Sequence, residues 1–143
     1  MIHREIPESF SPRFEVVSCF IEVDGQILFL HRQDGKSEGN KWGIPAGKIE
    51  EGEEAIGAMV REIQEETGLT ILPEQITYFD KVYVRYPDYD FIYHMFHTRL
   101  KLQPDISINE REHKTSCWVT PQDALAMDLI LDEDACIKLF YRI

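Results

Sequence analysis

The sequence contains no long apolar run. No uninterrupted stretch of apolar residues exceeds four, as in ILFL at residues 27–30. A helix needs about 20 mostly apolar residues to cross a membrane, so no spanning helix is predicted. The first residues, MIHREIPESFSPRF, are charged and contain two prolines, which is not typical of a secretory signal. We therefore expect a cytoplasmic protein with no membrane partner.

Cysteine and basic residues are also scarce. The three cysteines, Cys19, Cys117 and Cys136, form no close pair, which favours reduced thiols over a disulfide framework. Fifteen Lys and Arg residues stand against 26 Asp and Glu residues, giving a net charge of −11. Binding to a nucleic-acid polymer needs a basic surface, so we expect no such partner. The acidity either serves solubility or includes carboxylates that bind divalent cations.

The chain shows no internal repeat and no low-complexity tract, so we expect one domain over residues 1–143, with residues 1–13 as an N-terminal extension. Asp24-Gly25 separates FEVVSCFIEV from QILFLHR and predicts a β-hairpin. Two aromatic strands around PDYD and a short strand at CWVT follow. The predicted fold class is α+β, with a mixed β-sheet flanked by helices.

Three helices are predicted. The first runs from about Glu53 to Thr67, where Gly68 is a natural stop, and its Gly57 suggests either close packing or a tolerated defect. The second follows a Thr120 cap in TPQDALAM, and the third, EDACIKLFYRI, follows an Asp132 cap.

Residues 47–69, GKIEEGEEAIGAMVREIQEETGL, contain seven glutamates. At about 100° per residue, Glu62, Glu65 and Glu66 share one face of the predicted helix, where like charges repel. Such a face is either solvated, with Arg61 and Glu65 as an i,i+4 ion pair, or it binds a hard cation such as Mg²⁺. The helix pattern alone leaves both interpretations open.

The spacing within this segment resembles the signature of the Nudix hydrolases. Gly47 is followed after five residues by Glu53, and after seven more by the run REIQEETGL that begins at Arg61. WGIPAG is similar to the family's usual lead-in, and the likeness extends over roughly residues 14–142. The resemblance implies an α/β/α sandwich that hydrolyses a diphosphate linkage in a nucleotide or a nucleoside diphosphate derivative, by attack of water on phosphorus. It also implies Mg²⁺ or Mn²⁺ as the cofactor.

The resemblance assigns roles to individual residues. It implies metal ligation by Glu62, Glu65 and Glu66, with the Ala46 carbonyl and Glu112 as added ligands. It implies a catalytic role for Glu62, Glu65, Arg61 and Glu112. The general base is expected to be either a glutamate of the segment 47–69 or the later Glu112, and we prefer Glu112 to Glu110 as the later candidate. His113 is expected to be a surface or packing residue. Gly47, Glu53 and Gly68 are expected to be structural.

The substrate is expected to be a nucleotide. Nucleoside triphosphates or dinucleoside polyphosphates are the preferred candidates. Candidate substrate contacts are Arg32, Lys48, Arg85 and Tyr86, because basic side chains bind phosphates and an aromatic ring can stack a base. A non-catalytic nucleotide-binding module on the same fold is the alternative function. We expect a monomer or a homodimer.

Overall fold

A mixed β-sheet forms the centre of the structure, which is a computed structural model describing residues 1–143. Its strands are β1 (Ile2–His3), β2 (Pro12–Val23), β3 (Gln26–Arg32), β4 (Trp42–Gly43), β5 (Ala46–Lys48), β6 (Thr77–Arg85), β7 (Asp90–Arg99) and β8 (His113–Val119). The helices are α1 (Ala55–Thr67), α2 (Pro121–Ala124) and α3 (Glu133–Tyr141), with a short 3₁₀ turn at Pro73–Gln75.

The sheet combines antiparallel hairpins with one parallel pair. Its order is β1-β6-β7-β2-β3-β4, with β5 also paired to β2 and β8 to β3. Strand β2 runs parallel to β7, with Val17 opposite His94, and the other pairs are antiparallel. The predicted mixed sheet is therefore confirmed, and β2 is its central strand.

The turn between β2 and β3 explains why the hairpin was predictable. Asp24 and Gly25 both have positive φ, 49° and 77°. This backbone matches the twist of two paired strands, and Asp and Gly tolerate it better than most residues. The predicted hairpin is confirmed.

Both faces of the sheet are buried. On one face, Val17, Leu28 and Leu30 pack with Met59 and Ile63 of α1. On the other face, alternate strand residues pack under α2 and α3; they include Phe20, Ile27 and Phe29, together with Ala124 and Ile137. Because successive strand residues point to opposite faces, continuous apolar strands require helices on both sides. This arrangement gives the expected helix–sheet–helix sandwich, and none of the helices has the length and apolarity needed to span a membrane.

Helix α1 begins two residues later than predicted, at Ala55. Glu53 lies before it because its carboxylate binds Arg61 and accepts the Glu50 N–H at 2.8 Å. At the other end, Gly68 is left-handed with φ 77°, and its N–H donates to the Gln64 carbonyl, so the predicted stop is confirmed. Gly57 has no neighbouring atom within 4 Å of an added Cβ, so close packing does not explain it.

The two C-terminal helices differ from prediction at their starts and lengths. The Thr120 hydroxyl accepts the Asp123 N–H at 3.2 Å, as a cap should, but α2 ends at Ala124. Asp132 is left-handed, with φ 67°, and its side chain makes no cap hydrogen bond. Asp132 therefore occupies the predicted N-cap position, but its carboxylate does not cap the helix and lies instead 2.9 Å from the amino group of Met1.

Gly57→Ala should raise the free energy of unfolding by roughly 0.4–1 kcal/mol, because alanine costs less backbone entropy in a helix and meets no neighbour. Gly68→Ala is the matched comparison in the same helix. It should lower that free energy by about 1–2 kcal/mol, because alanine disfavours positive φ. Its Cβ would also lie 3.0 Å from the Ser107 Cβ. Urea unfolding of both variants measures the difference, and a destabilised Gly57→Ala would contradict this account.

Candidate active site

The guanidinium of Arg61 joins helix α1 to the loop before it. Its Nε and Nη2 each donate to the Glu53 carboxylate at 2.8 Å, and Nη2 also donates to the Lys48 carbonyl at 3.1 Å. Its Nη1 donates to Glu62 at 2.8 Å and lies 3.3 Å from Glu65. These charge-assisted contacts hold the pKa of Glu53 down at about 2 and raise the pKa of Arg61.

The Glu62 carboxylate lies directly against the backbone of Gly47. A Cβ added at Gly47 would overlap the carboxylate of Glu62. Glycine is therefore required there by the close approach of a side chain rather than by a positive φ. Strand β5, which contains Gly47, is thereby fixed beside the middle of α1.

Glu66 lies one turn further along α1, and its Oε1 accepts the Ala46 N–H at 2.8 Å. Burial, together with the negative charges of Glu62 and Glu112, raises the pKa of the Glu66 carboxyl to about 8. Burial also raises the pKa of Glu62, against the opposing effect of Arg61. The basic side chains of the protein therefore do not fully offset the cost of burying the negative charge of these carboxylates.

These carboxylates suit a divalent cation in their chemistry. The second oxygens of Glu62 and Glu66 have no hydrogen-bond donor among the protein's groups, so they remain available as hard oxygen ligands. No group of three or more His, Cys, Asp or Glu side chains is arranged to hold a metal ion, however. Glu65 is turned toward Arg61 and is 54% exposed.

Glu112 lies in the loop before β8, and its charge contributes to the raised pKa of Glu66. Its carboxylate pairs with Lys36 at 3.3 Å and is 41% exposed, so this one ion pair is its contact with a cation. The neighbouring His113 is buried, and burial together with the charge of Arg32 lowers the pKa of its imidazole to about 4. His113 is thus a packing residue, as the sequence suggested.

A cavity of about 240 Å³ opens beside the acidic residues. Three of the four predicted substrate contacts, Arg32, Lys48 and Tyr86, line it, and Ala46 and Gly47 form the wall nearest Glu66. Most of the remaining lining is apolar and aromatic, and includes Phe14, Tyr89, Phe91 and Tyr93. The volume lies below the ~300–1,000 Å³ of complete drug-sized ligand sites, so it suits one part of a nucleotide.

Arg85 is the predicted contact that the structure does not bring to this cavity. Its guanidinium donates to both oxygens of Asp90, at 3.0 and 3.1 Å, and to the Glu8 carbonyl at 3.1 Å. Because Asp90 starts the strand paired with β6, Arg85 fastens a hairpin end to the N-terminal segment. The structure therefore does not place Arg85 with the other three candidate substrate contacts.

Glu133 is a cavity residue that the sequence analysis missed. It is the first residue of α3 and is only 2% exposed, although a glutamate at a helix start is usually solvated. Burial raises the pKa of its carboxyl to about 7, with the charges of Glu38 and Asp134 adding to the effect. The apolar residues around it, in DLILDEDACI, were the available signal that this helix start is buried.

Comparison with known proteins identifies the family. A family model of the NUDIX domain matches residues 12–140, nearly the whole chain. The chain belongs to the Nudix hydrolase family. Its class of reaction is therefore the hydrolysis of an acid anhydride bond.

Individual Nudix relatives resemble the chain over most of its length. The CTP pyrophosphohydrolase of Escherichia coli K12 is 29% identical over 117 residues, which cover 80% of this chain and 82% of that protein. A solved MutT protein from Methanosarcina mazei Go1 superimposes with a TM-score of 0.80 at 24% identity, covering 92% and 94% of the two chains. An Ap4A hydrolase of C. elegans superimposes with a TM-score of 0.73 at 18% identity, covering 90% and 96%. The two structures bear out the expected Nudix fold.

Arg61→Lys should lower the free energy of unfolding by about 1–2 kcal/mol, because an ammonium cannot reproduce the forked contacts with Glu53 and Glu62. Chemical denaturation measures the loss. Arg111→Lys is the control, since Arg111 is exposed and its side chain forms no ion pair. Equal stability of the two variants would contradict the structural role of Arg61.

Proposed function

We propose that this Nudix hydrolase uses Mg²⁺ or Mn²⁺ to hydrolyse a diphosphate linkage in a nucleotide, with nucleoside triphosphates and dinucleoside polyphosphates as leading substrates. The observation that carries the proposal is the junction of two features at β5. Ala46 and Gly47 contact the Glu66 and Glu62 side chains and also line the aromatic cavity. A nucleoside in the cavity therefore directs its phosphates toward the carboxylates.

The proposed metal ligands are Glu62, Glu65, Glu66 and Glu112, with the Ala46 carbonyl. A divalent ion bound there supplies charge neutralisation and acidifies a coordinated water. The protein contributes oxygens that it leaves without hydrogen-bond donors, and burial that makes their charge costly until a cation is nearby. Arg61 keeps the Glu62 carboxylate against Gly47 and so fixes its direction.

Cationic side chains in the cavity wall are proposed to bind the substrate phosphates. The Arg32 Nε donates to the Ser37 carbonyl at 2.8 Å, which leaves its other guanidinium donors for a ligand. Arg32 lines the cavity, and its charge opposes the rise in the pKa of Glu66. The Lys48 ammonium lies 4.2 Å from the centre of the Phe14 ring, which positions it over the cavity wall.

We assign proton abstraction from the attacking water to Glu112. Glu65, in the glutamate-rich segment 47–69, is the alternative. Both carboxylates are partly exposed and within the influence of the acidic cluster. A base must reach the water without being locked in another strong contact. The single 3.3 Å pair of Glu112 with Lys36 meets that requirement.

Two similarities support the substrate class. The relative from E. coli is a CTP pyrophosphohydrolase, and one structural neighbour is an Ap4A hydrolase. The alternative, a non-catalytic nucleotide-binding module, predicts binding without phosphate release. A screen of nucleoside triphosphates and dinucleoside polyphosphates, with Mg²⁺, with Mn²⁺ and with a chelator, separates the two functions.

Glu66→Gln should lower turnover at saturating Mg²⁺ by about 10²-fold or more, because a neutral amide is a weaker ligand for the cation that neutralises the charge on the phosphates. The amide oxygen can still accept the Ala46 N–H, and a costly buried charge is lost. The variant should therefore unfold at no lower temperature than the parent at pH 8. Glu51→Gln is the control, since Glu51 is exposed and forms no ion pair. Unchanged turnover would refute the assignment of Glu66.

Gly47→Ala should weaken Mn²⁺ binding by about tenfold or more, because its Cβ displaces the Glu62 carboxylate. Isothermal titration with Mn²⁺ measures the affinity without any substrate. The free energy of unfolding should fall by about 1 kcal/mol, because the displaced Glu62 carboxylate loses its contact with Arg61 while Arg61 keeps both contacts with Glu53. Gly57→Ala, the same change in the same segment without a steric neighbour, should bind Mn²⁺ like the parent.

A further inference from the structure

Gln33, the first residue after β3, binds the loop that carries Glu112. Its backbone N–H donates to the Glu112 carbonyl at 3.0 Å. Its side-chain Nε2 donates to the Glu110 carbonyl at 2.9 Å and to the His113 carbonyl at 3.2 Å. One residue thus holds three carbonyls of this loop, on both sides of the Glu112 Cα.

The orientation of the Gln33 amide follows from its partners. Both groups that it contacts in the loop are carbonyls, which can only accept hydrogen bonds, so its NH₂ group must face them. A glutamine supplies these two donors without placing a further charge beside Glu112. A methionine has a side chain of almost the same length and supplies no donor to a carbonyl.

Asn109 closes the same loop into a turn. The Asn109 carbonyl accepts the N–H groups of Glu112 and His113, both at 2.9 Å, and its side-chain Oδ1 accepts the Arg111 N–H at 3.1 Å. Residues 109–113 therefore form one hydrogen-bonded turn. The contacts that attach this turn to other elements decide where the backbone of Glu112 lies.

The turn is attached to both sides of the candidate active site. Toward α1, the Ser107 N–H donates to the Thr67 carbonyl at 2.9 Å. Toward β3, Arg32 pairs with His113, but the register of the two strands shifts at this point. Gln33 adds its hydrogen bonds directly beyond that irregularity. Loss of its side-chain donors should therefore loosen the turn at the β3 side and leave the attachment to α1 in place.

The Glu112 side chain is held less firmly than its backbone. Its carboxylate makes one ion pair, with Lys36 at 3.3 Å, and is 41% exposed. A general base needs this combination, because its backbone must lie at a fixed place while its carboxylate stays free to accept a proton. A misplacement of about 1 Å in such a group can lower a rate by about 10²-fold.

We propose that Gln33 is a positioning residue for the reaction, whose side-chain hydrogen bonds fix the backbone around Glu112 and thereby the carboxylate that takes the proton from the attacking water. This inference rests on the proposed function, which assigns that proton to Glu112. Gln33 does not line the cavity, so its effect on the reaction passes through Glu112.

Gln33→Met removes both side-chain donors and keeps the backbone N–H. With the best substrate of the nucleotide screen and saturating Mg²⁺, we expect kcat to fall by about tenfold or more, because the base is misplaced. KM should change by less than about threefold, because the candidate phosphate contacts Arg32 and Lys48 remain in the cavity wall. An unchanged kcat, or a loss confined to KM, would overturn the inference.

Gln122→Met is the matched control for this variant. It makes the same chemical change at an exposed position in α2. Both kcat and KM of this control should equal those of the parent protein.

A double-mutant cycle shows whether Gln33 acts through Glu112. Glu112→Gln removes the base itself, so adding Gln33→Met to it should slow turnover by less than about twofold more. A merely structural role predicts instead that the two losses multiply. Multiplied losses, or a Glu112→Gln variant that turns over like the parent, would contradict the proposed role.

Hydrogen exchange tests the geometry without substrate or metal. In Gln33→Met, the N–H groups of Arg111, Glu112 and His113 should exchange about tenfold faster than in the parent, because the turn that contains them is loosened. The Ser107 N–H should exchange as in the parent, since its acceptor is the Thr67 carbonyl in α1. Equal exchange at residues 111–113 in the two proteins would overturn the inference.

These measurements separate the inference from the proposed function. Absence of phosphate release by the parent with every nucleotide and metal would refute the proposed reaction, and the catalytic role of Gln33 with it. Metal-dependent release with the same kcat in the parent and in Gln33→Met would refute the role of Gln33 and leave the reaction standing.

Discussion

The interaction on which the site depends is the set of contacts made by one guanidinium. Arg61 binds Glu53 in the loop, Glu62 on its own helix and the Lys48 carbonyl at the end of β5. A lysine at the same place has the charge but lacks the geometry, since several acceptors in different directions need a planar fork.

The site is locally unfavourable, and the rest of the fold compensates for it. Glu62 and Glu66 are carboxylates whose burial opposes their charge, and Glu133 is a fully buried glutamate with one free oxygen. Apolar packing on both faces of the sheet supplies the stability that tolerates them. Such expensive groups concentrate where a ligand or a cation can satisfy them, and here they flank a single cavity.

The sequence predicted the parts of the fold that local rules determine. The Asp24-Gly25 hairpin, the Gly68 helix stop and the helical run of α1 follow from backbone preferences and periodicity, and all three are confirmed. Helix α1 begins later than the sequence predicted because the Glu53 carboxylate binds Arg61, a tertiary contact that the local sequence does not show. Gly57 was ambiguous for the same reason, since only the surrounding atoms show that its Cβ position is open.

The site was predictable where a fixed spacing carries the chemistry. Elsewhere the residue type alone did not show which side chains reach the cavity. Arg85 and Arg32 are the same residue type, but Arg85 binds Asp90 whereas Arg32 lines the cavity. Glu133 escaped notice because a charged residue at a helix start is ordinarily solvated. Its burial results from α3 packing on the second face of the sheet, which no local pattern encodes.

Strand β5 has a consequence for substrate length. Ala46 and Gly47 contact the glutamates of α1 and also line the aromatic cavity, and the strand that contains them is paired with the long central strand β2. Under the proposed function, a nucleotide with too short a phosphate chain would occupy the aromatic end of the cavity without its anhydride reaching the glutamates.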